Sequence, residues 1–476
     1  MIYAFYSFKG GVGRSMALAN IGEIFHQKGL RTLLVDWDLE APGLETYFNR
    51  DAELAASRAH PGLIDMLTAY RKGFPGFAAG QVAARQGSPE QRREYADAAR
   101  IAGELLQQRT DLPQFLMEME EPPPPTTLPS FLDGLYRPDQ SLRKDLPAPM
   151  AASPFQRYLQ CILPSGTRED GLFLLSAGAR PEDGFGRYAA AVQDFSWSEF
   201  YAAYEGREYF SRFRDQIAAI ADVVLIDTRT GVTEMGGVCT RHLPDTVLSF
   251  CAPNFQNLDG ISRVVSGLNR REVKHARGDR HVEVMVVPTR IDDSESDRLG
   301  EFSLLFQEKI ERDEFVPGQF RELDRPLWHL QIPYTARYNY REEMVVGPSP
   351  KPRDPVTEKL VGAYRRVAVH LAALAGKDTR IRSLFAREIG AALPQLSKTV
   401  PQMAPPLAEA WVERPQEVQA LTRVLLDRAQ APQVSRVAVW GFAGSGKTSL
   451  VARACRDPQV VGAYPEGLLW VTADRH

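Results

Sequence analysis

Apolar residues along this chain fall into short uninterrupted runs, separated by stretches in which they recur every three or four positions. Residues 1–7 (MIYAFYS), 30–35 (LRTLLV), 172–176 (LFLLS), 223–227 (VVLID), 246–251 (TVLSFC), 282–287 (VEVMVV) and 327–332 (LWHLQI) are the runs. Short continuous runs read as strands buried on both faces. Residues 15–28 carry Met16, Ala19, Ile21, Ile24 and Phe25 at helical spacing and stop at Gly29, and residues 197–221, 258–275, 297–312 and 356–375 also read as helices. Strand and helix alternating in this way predict a doubly wound, mainly parallel α/β sheet of seven strands. The aromatic stripe of residues 197–221 reads as core. Residues 50–165 break the rhythm. They predict a short helix at 61–70, an exposed amphipathic helix at 88–108, and a stiff polyproline segment at 122–125 followed by Pro-rich sequence to 152. This stretch reads as a surface insertion, with a partner-docking element as the alternative.

The chemistry gathers where the first strand meets the first helix. Phe8-Lys9-Gly10-Gly11-Val12-Gly13-Arg14-Ser15-Met16 is a glycine-rich turn between the two. Glycines let successive backbone N–H groups point inward, and the helix N-terminus adds partial positive charge, which together make a phosphate cradle. Ser15 stands where a P-loop hydroxyl ligates Mg²⁺. The second strand runs into Asp36-Trp37-Asp38, two carboxylates at the carboxyl edge of a parallel sheet, where ligands bind in such folds. Asp227-Thr228-Arg229-Thr230-Gly231 ends a later strand with the D-x-x-x-G spacing of a Walker B and switch II segment: an acid for the metal shell and a glycine whose N–H approaches a γ-phosphate.

Composition narrows the classes. The 476 residues imply about two to four domains. A formal net charge of −3 gives no whole-chain reason to expect nucleic-acid or membrane binding. Cys161, Cys239, Cys251 and Cys455 are far apart and form no C-x-x-C pair, which argues against a zinc site or disulfide framework. No apolar stretch reaches the length of a membrane span and no signal peptide precedes the first strand, so a cytosolic protein is expected.

Lys9-Gly10-Gly11-Val12-Gly13-Arg14-Ser15 resembles the deviant Walker A motif of ParA/MinD-type ATPases in the SIMIBI class, and with Asp36-Trp37-Asp38-Leu39-Glu40-Ala41-Pro42-Gly43-Leu44 it resembles a narrower group of KGGVGR-motif ATPases. The resemblance covers residues 1–375 and implies an ATP- and Mg²⁺-dependent enzyme that closes a homodimer. It implies that Lys9 reaches the partner's phosphates, Asp38 positions the attacking water, and Asp36 and Asp227 complete the metal shell. Arg14 departs from the family's lysine at this position; the planar guanidinium keeps the charge but is not a conservative replacement. The family contacts adenine from the segments that correspond to Pro288-Thr289-Arg290-Ile291-Asp292 and Pro333-Tyr334-Thr335. Thr289-Arg290-Ile291-Asp292 also resembles the T-K-x-D element of guanine-reading relatives, so ATP is favoured and GTP is the alternative.

Residues 376–410 read as a linker. Beyond them an amphipathic helix to residue 429 and a strand at 436–440 precede Gly441-Phe442-Ala443-Gly444-Ser445-Gly446-Lys447-Thr448, a full G-x-x-x-x-G-K-T phosphate loop. Here Gly441, Gly444 and Gly446 shape the turn, Lys447 reaches phosphates and Thr448 holds Mg²⁺. Residues 411–476 resemble the start of an NB-ARC/STAND ATPase, with Val412 and Arg414 on the adenine side and a further strand at 468–471. About 65 residues are too few for that core, so an incomplete module is expected. The combined expectation is a nucleotide switch in signalling or phage defence that meets a protein partner. A weakly hydrolysing, nucleotide-stabilised scaffold is the alternative, and a DNA- or membrane-positioning ATPase is disfavoured.

Overall fold

The computed structural model describes residues 1–49, 51–84, 128–136, 145–164, 170–231, 238, 242–270, 273–274, 277, 280–292, 294, 296–312, 315–321, 323, 326–339, 342–347, 353–377, 379–393, 404, 407, 412, 414–429, 437–442, 445–464 and 470. These fall into two compact units, Met1–Ala392 and Leu393–His476.

The first unit is built on one eight-stranded sheet: β1 (Ile2–Ser7), β2 (Arg31–Asp36), β3 (Leu159–Pro164), β4 (Gly171–Leu175), β5 (Val223–Asp227), β6 (Thr246–Cys251), β7 (Glu283–Ile291) and β8 (Ile332–Pro333). Their spatial order is β3-β4-β2-β5-β1-β6-β7-β8, parallel throughout except for the β3–β4 pair. Its helices are α1 (Arg14–Gln27), α2 (Asp51–Ala59), α3 (Leu63–Ala84), α4 (Leu128–Leu135), α5 (Phe185–Gln193), α6 (Trp197–Ala203), α7 (Gly206–Ile220), α8 (Phe255–Leu268), α9 (Ser296–Ile310), α10 (Pro355–Leu374), α11 (Arg380–Leu384) and α12 (Ala386–Ala392).

Helices cover both faces of the sheet, so β1, β4, β5 and β6 are buried along their whole length, as their unbroken apolar runs require. Side-chain alternation then assigns the faces. Leu33, Val35 and Trp37 join Val224 and Ile226 in the core shared with α3, α6 and α7. Leu34 and Leu225 face α1, where Gly22 brings the helix so close that an added Cβ would lie 2.9 Å from Leu34 Cδ2. Tyr3 faces the same side and donates to the Leu371 carbonyl of α10 at 2.8 Å. By the same parity Asp36 and Asp227, register partners on β2 and β5, end on the α1 side.

The structure corrects several boundaries. The sheet has eight strands rather than seven, because residues 159–164, expected inside the insertion, form an antiparallel edge strand on β4. An edge tolerates Pro164 at its end, and a half-exposed sequence such as LQCILP gives only a weak strand signal. β7 runs on to Ile291, four residues past the expected end, with Pro288 paired to Cys251. The expected strand 327–332 is mostly a 3₁₀ turn (Trp328–Leu330), and only Ile332–Pro333 pair with β7. The helix expected over 197–221 is two helices, because Glu205 takes a left-handed conformation (φ 50°) between α6 and α7.

Much of the described insertion is core rather than surface. Tyr70 of α3 donates to the Tyr204 carbonyl (2.8 Å) and Tyr136 to the Met66 carbonyl (2.9 Å), among Phe200, Tyr209 and Phe210. The expected helix at 88–108 and the prolines 122–125 lie outside the described residues. Residues 380–392, read from sequence as linker, form α11 and α12; Phe385 between them packs edge-on against Phe25 of α1.

The second unit contains α13 (Pro415–Ala429), α14 (Lys447–Ala454) and α15 (Pro458–Ala463). Residues 437–440 are not a strand, and of the expected strand 468–471 only Trp470 lies among the described residues.

Candidate functional site

β1 ends at Ser7 and the chain turns through residues 8–13 into α1. Gly11 (φ 73°) and Gly13 (φ 81°) adopt left-handed conformations that a side chain resists, and Gly13 is the N-cap of α1. No atom lies within 4 Å of the position a Cβ would take at Gly10, Gly11 or Gly13, so these glycines face open space. Val12 is buried, and Ser15 and Met16 are half-buried on the first turn of the helix. Strand β7 braces the loop from one side. Thr289 Oγ1 donates to the Val12 carbonyl at 2.9 Å and Arg290 to the Gly11 carbonyl at 2.6 Å. From the other side α8 comes so close that a Cβ on Gly260 would collide with the Phe8 ring. Lys9 is exposed, and its ammonium donates to Gln256 on α8.

The acids converge on the head of α1. Arg14, the first residue of the helix, is 7% exposed. Its guanidinium donates to Asp227 through Nε, to Asp38 Oδ2 through Nη2 (3.2 Å), and toward Ser7 Oγ through Nη1 (3.4 Å). Burial works against the Arg14 charge, but the two carboxylates prevail and its pKa is raised. Asp36 is fully buried and both its oxygens accept backbone amides, from Asp38 (3.2 Å), Gly43 (3.1 Å) and Leu44 (3.3 Å). Burial, with Asp227 and Glu45 nearby, raises its pKa to about 7. Asp38 is also raised, by burial first and Asp227 second, with Arg14 opposing. Gly231 holds φ 78° and its N–H donates to the Ser7 carbonyl at 3.2 Å, which ties the segment after β5 to the end of β1.

At the segments expected to border the base, Arg290 takes a left-handed φ of 57° and lies over the Tyr334 ring at 4.6 Å, next to Pro333 in β8. Because β7 extends to Ile291, the segment expected to follow the strand is part of it. Asp292 is exposed and accepts the Ser294 amide at 3.0 Å, which lowers its pKa.

No group of three or more His, Cys, Asp or Glu side chains among the described residues forms a metal cage. Mg²⁺ takes one or two carboxylates and completes its shell with water and phosphate. Ser15 and Asp227 supply oxygen donors of the required kind. Asp36 has both oxygens committed to the 37–44 loop, which it holds in place.

Sequence reasoning missed the supports of this site. Ser7 and Gln256 carry no motif, and Thr289, read from sequence as part of the base-side segment, instead braces the phosphate loop through the Val12 carbonyl. Glu45 and Arg180 form a buried ion pair at 2.5 Å beside Asp36, and Tyr188 donates to the Leu39 carbonyl at 2.6 Å. A buried Glu and a distant Arg announce nothing in sequence, because only the tertiary fold makes them neighbours.

In the second unit, Gly446 (φ 76°) is the N-cap of α14 and Lys447 Nζ donates back to the carbonyls of Gly441 (2.9 Å) and Phe442 (2.7 Å). Arg414 braces this loop through the Ser445 carbonyl (2.9 Å), and Thr448 and Val412 are exposed. Gly444 lies outside the described residues.

Residues 3–339 match the family model described as the CobQ/CobB/MinD/ParA nucleotide binding domain. None of the curated proteins matches the chain. Among solved structures, a ParA family ATPase from Chlorobium tepidum TLS is similar at 15% identity, covering 76% of this chain and 98% of its own, with a TM-score of 0.41. MinD cell division protein of Aquifex aeolicus is similar at 15% identity over 77% and 96%, with a TM-score of 0.33. The septum site-determining protein MinD complexed with Mg-ADP from Pyrococcus horikoshii OT3 gives 13% identity over 79% and 98%, with a TM-score of 0.37.

Proposed function

This chain belongs to the CobQ/CobB/MinD/ParA nucleotide-binding family, and we propose that it is a switch operated by Mg-ATP whose first unit hydrolyses the nucleotide and closes a face-to-face homodimer. One observation carries the reading: the open glycine turn at the head of α1 stands beside Arg14, whose guanidinium contacts both Asp38 and Asp227. The backbone of residues 10–16 takes the phosphates. Ser15 and Asp227 hold Mg²⁺, which supplies charge neutralisation for phosphoryl transfer. Asp38 orients the attacking water, and Asp36 keeps the loop bearing Asp38 on the end of β2. Gly231 follows the γ-phosphate. Lys9, exposed at the mouth, crosses to the partner's phosphates. Arg290, Asp292 and Pro333 border the base, with ATP preferred and GTP the alternative.

The second phosphate loop, with Gly441, Gly444, Gly446, Lys447 and Thr448, supports a finer reading in which the switch drives an NB-ARC/STAND-type module, in signal response or antiphage defence. No helix among the described residues is long and apolar enough to cross a membrane.

Molar mass by light scattering, in Mg-ATP and in Mg-ADP, tests the switch. A dimer with Mg-ATP only is expected. Lys9→Ala then keeps its nucleotide affinity and stays monomeric; a variant that still dimerises removes the crossing role of Lys9. The ion pairs of Arg14 favour a second reading, a non-hydrolysing scaffold in which nucleotide is structural. Unchanged phosphate release on Asp38→Ala selects the scaffold, and loss of turnover selects the switch.

A further inference from the structure

The three arms of Arg14 reach three elements: Nη1 the end of β1 at Ser7, Nη2 the loop after β2 at Asp38, and Nε the end of β5 at Asp227. Nothing in a phosphate-binding role requires this. The P-loop cation needs only to meet phosphate oxygens, and a lysine ammonium is a single compact charge that does so. A guanidinium is a rigid fork with five N–H donors, and here it is spent on the two carboxylates that the chemistry needs free.

We propose that Arg14 is a latch. With the nucleotide site open, it holds Asp227 away from Mg²⁺ and Asp38 away from the attacking water. Entry of Mg-nucleotide opens the latch by exchange of partners. This rests on the nucleotide-binding reading above and deepens it.

The physical basis is competition between cations for one carboxylate. Asp227 is 2% exposed and already paired, so a metal ion arriving alone must displace a buried, charge-assisted contact. A nucleotide arriving alone draws the guanidinium toward its phosphates and leaves Asp227 and Asp38 uncompensated in a buried site. Only together do the exchanges balance: phosphate takes Arg14, and Mg²⁺ takes Asp227. The latch therefore makes nucleotide and metal bind as one coupled step, and it keeps Asp38 out of position until both are present. The coupling is a difference in free energy between two arrangements of the same groups, so it acts on metal and nucleotide reciprocally.

Stopped-flow binding of N-methylanthraniloyl-ATP to the full chain, across a Mg²⁺ titration, tests the latch. Arg14→Lys keeps a positive charge for phosphate but cannot span both carboxylates. Asp38→Asn weakens one arm and leaves Asp227 and the phosphate loop untouched. Both variants are expected to bind the Mg-nucleotide about tenfold faster, the effect of losing one charge-assisted hydrogen bond. Both should also show a shallower dependence on Mg²⁺ and a lower melting temperature without nucleotide. A merely structural role moves association the other way or leaves it alone. Association unchanged or slowed in Asp38→Asn overturns the latch, whether or not Arg14→Lys folds. A wild-type chain that binds no Mg-nucleotide overturns the nucleotide reading itself, and the latch with it.

Discussion

Removing the Arg180 guanidinium is expected to strand a carboxylate inside the protein. The Glu45 side chain is 1% exposed, and Arg180, itself 5% exposed, donates to its Oε1 at 2.5 Å. Glu45 Oε2 has no hydrogen-bond partner among the described residues. Arg58 reaches Oε1 at 3.3 Å, but its side chain is 44% exposed and competes with solvent. Arg180→Met keeps the aliphatic stem and removes the charge. Breaking a buried pair from one side costs roughly 3–5 kcal/mol, because the surviving charge has lost its compensation. An unfolding entropy of about 2 cal/mol/K per residue across the 392 residues of the first unit is about 0.8 kcal/mol/K. The melting temperature should then fall by about 4–6 °C, read by near-UV circular dichroism on the full chain. Adding Glu45→Gln should recover most of the loss, since an uncharged pair carries little desolvation penalty. Arg180 also lowers the pKa of Asp36, so the single variant should push Asp36 further above about 7 and weaken nucleotide binding at neutral pH. A melting temperature within about 1 °C of wild type would show that Glu45 is not held by Arg180, and the reasoning fails.

Two further perturbations probe the core on either side of the sheet. His370 is buried, with Nδ1 donating to the Arg366 carbonyl at 2.8 Å and Nε2 accepting from His329 at 2.9 Å, beside the Phe320 ring. Burial, with His329 and Arg366 facing it, lowers its pKa from 6.5 to about 4. The unfolded chain therefore binds more protons between these values. Stability from this group is complete above pH 6.5 and declines by roughly 3 kcal/mol as pH falls toward 4. His370→Phe should flatten that part of the stability–pH curve in denaturant titrations, and an unchanged slope refutes the assignment. Trp37 is fully buried against Trp197 (6.2 Å), Phe210 (5.8 Å) and Phe213 (6.0 Å). Trp37→Ala should lose about 3–5 kcal/mol in denaturant titration and, since Asp36 and Asp38 flank it, weaken nucleotide binding measured at equilibrium; lost binding with intact stability would contradict this account.

The site was legible wherever its parts are consecutive. The glycine turn, the acids that end β2 and β5, and the strand–turn–helix context all follow from local periodicity. The glycine turn and helix start at Lys9 to Met16 are therefore read directly from the order of the residues. Boundaries were less legible where local signals conflict with pairing. Pro288 suggests an end to β7 that the neighbouring strand overrides, and the weak pattern at 159–164 becomes a strand only because β4 offers an edge.

The sequence by itself determined the α/β class and the strand, glycine turn and helix around Lys9 to Met16, because each follows from periodicity and turn chemistry among residues close along the chain. Tertiary structure alone decided what Arg14 touches. Its partners are 7, 24 and 213 positions away, and only the order β2-β5-β1 brings their ends together at the head of α1. It also decided that Glu45 meets Arg180, 135 positions on. No periodicity encodes such pairs, since they arise from closing long loops around a sheet already formed.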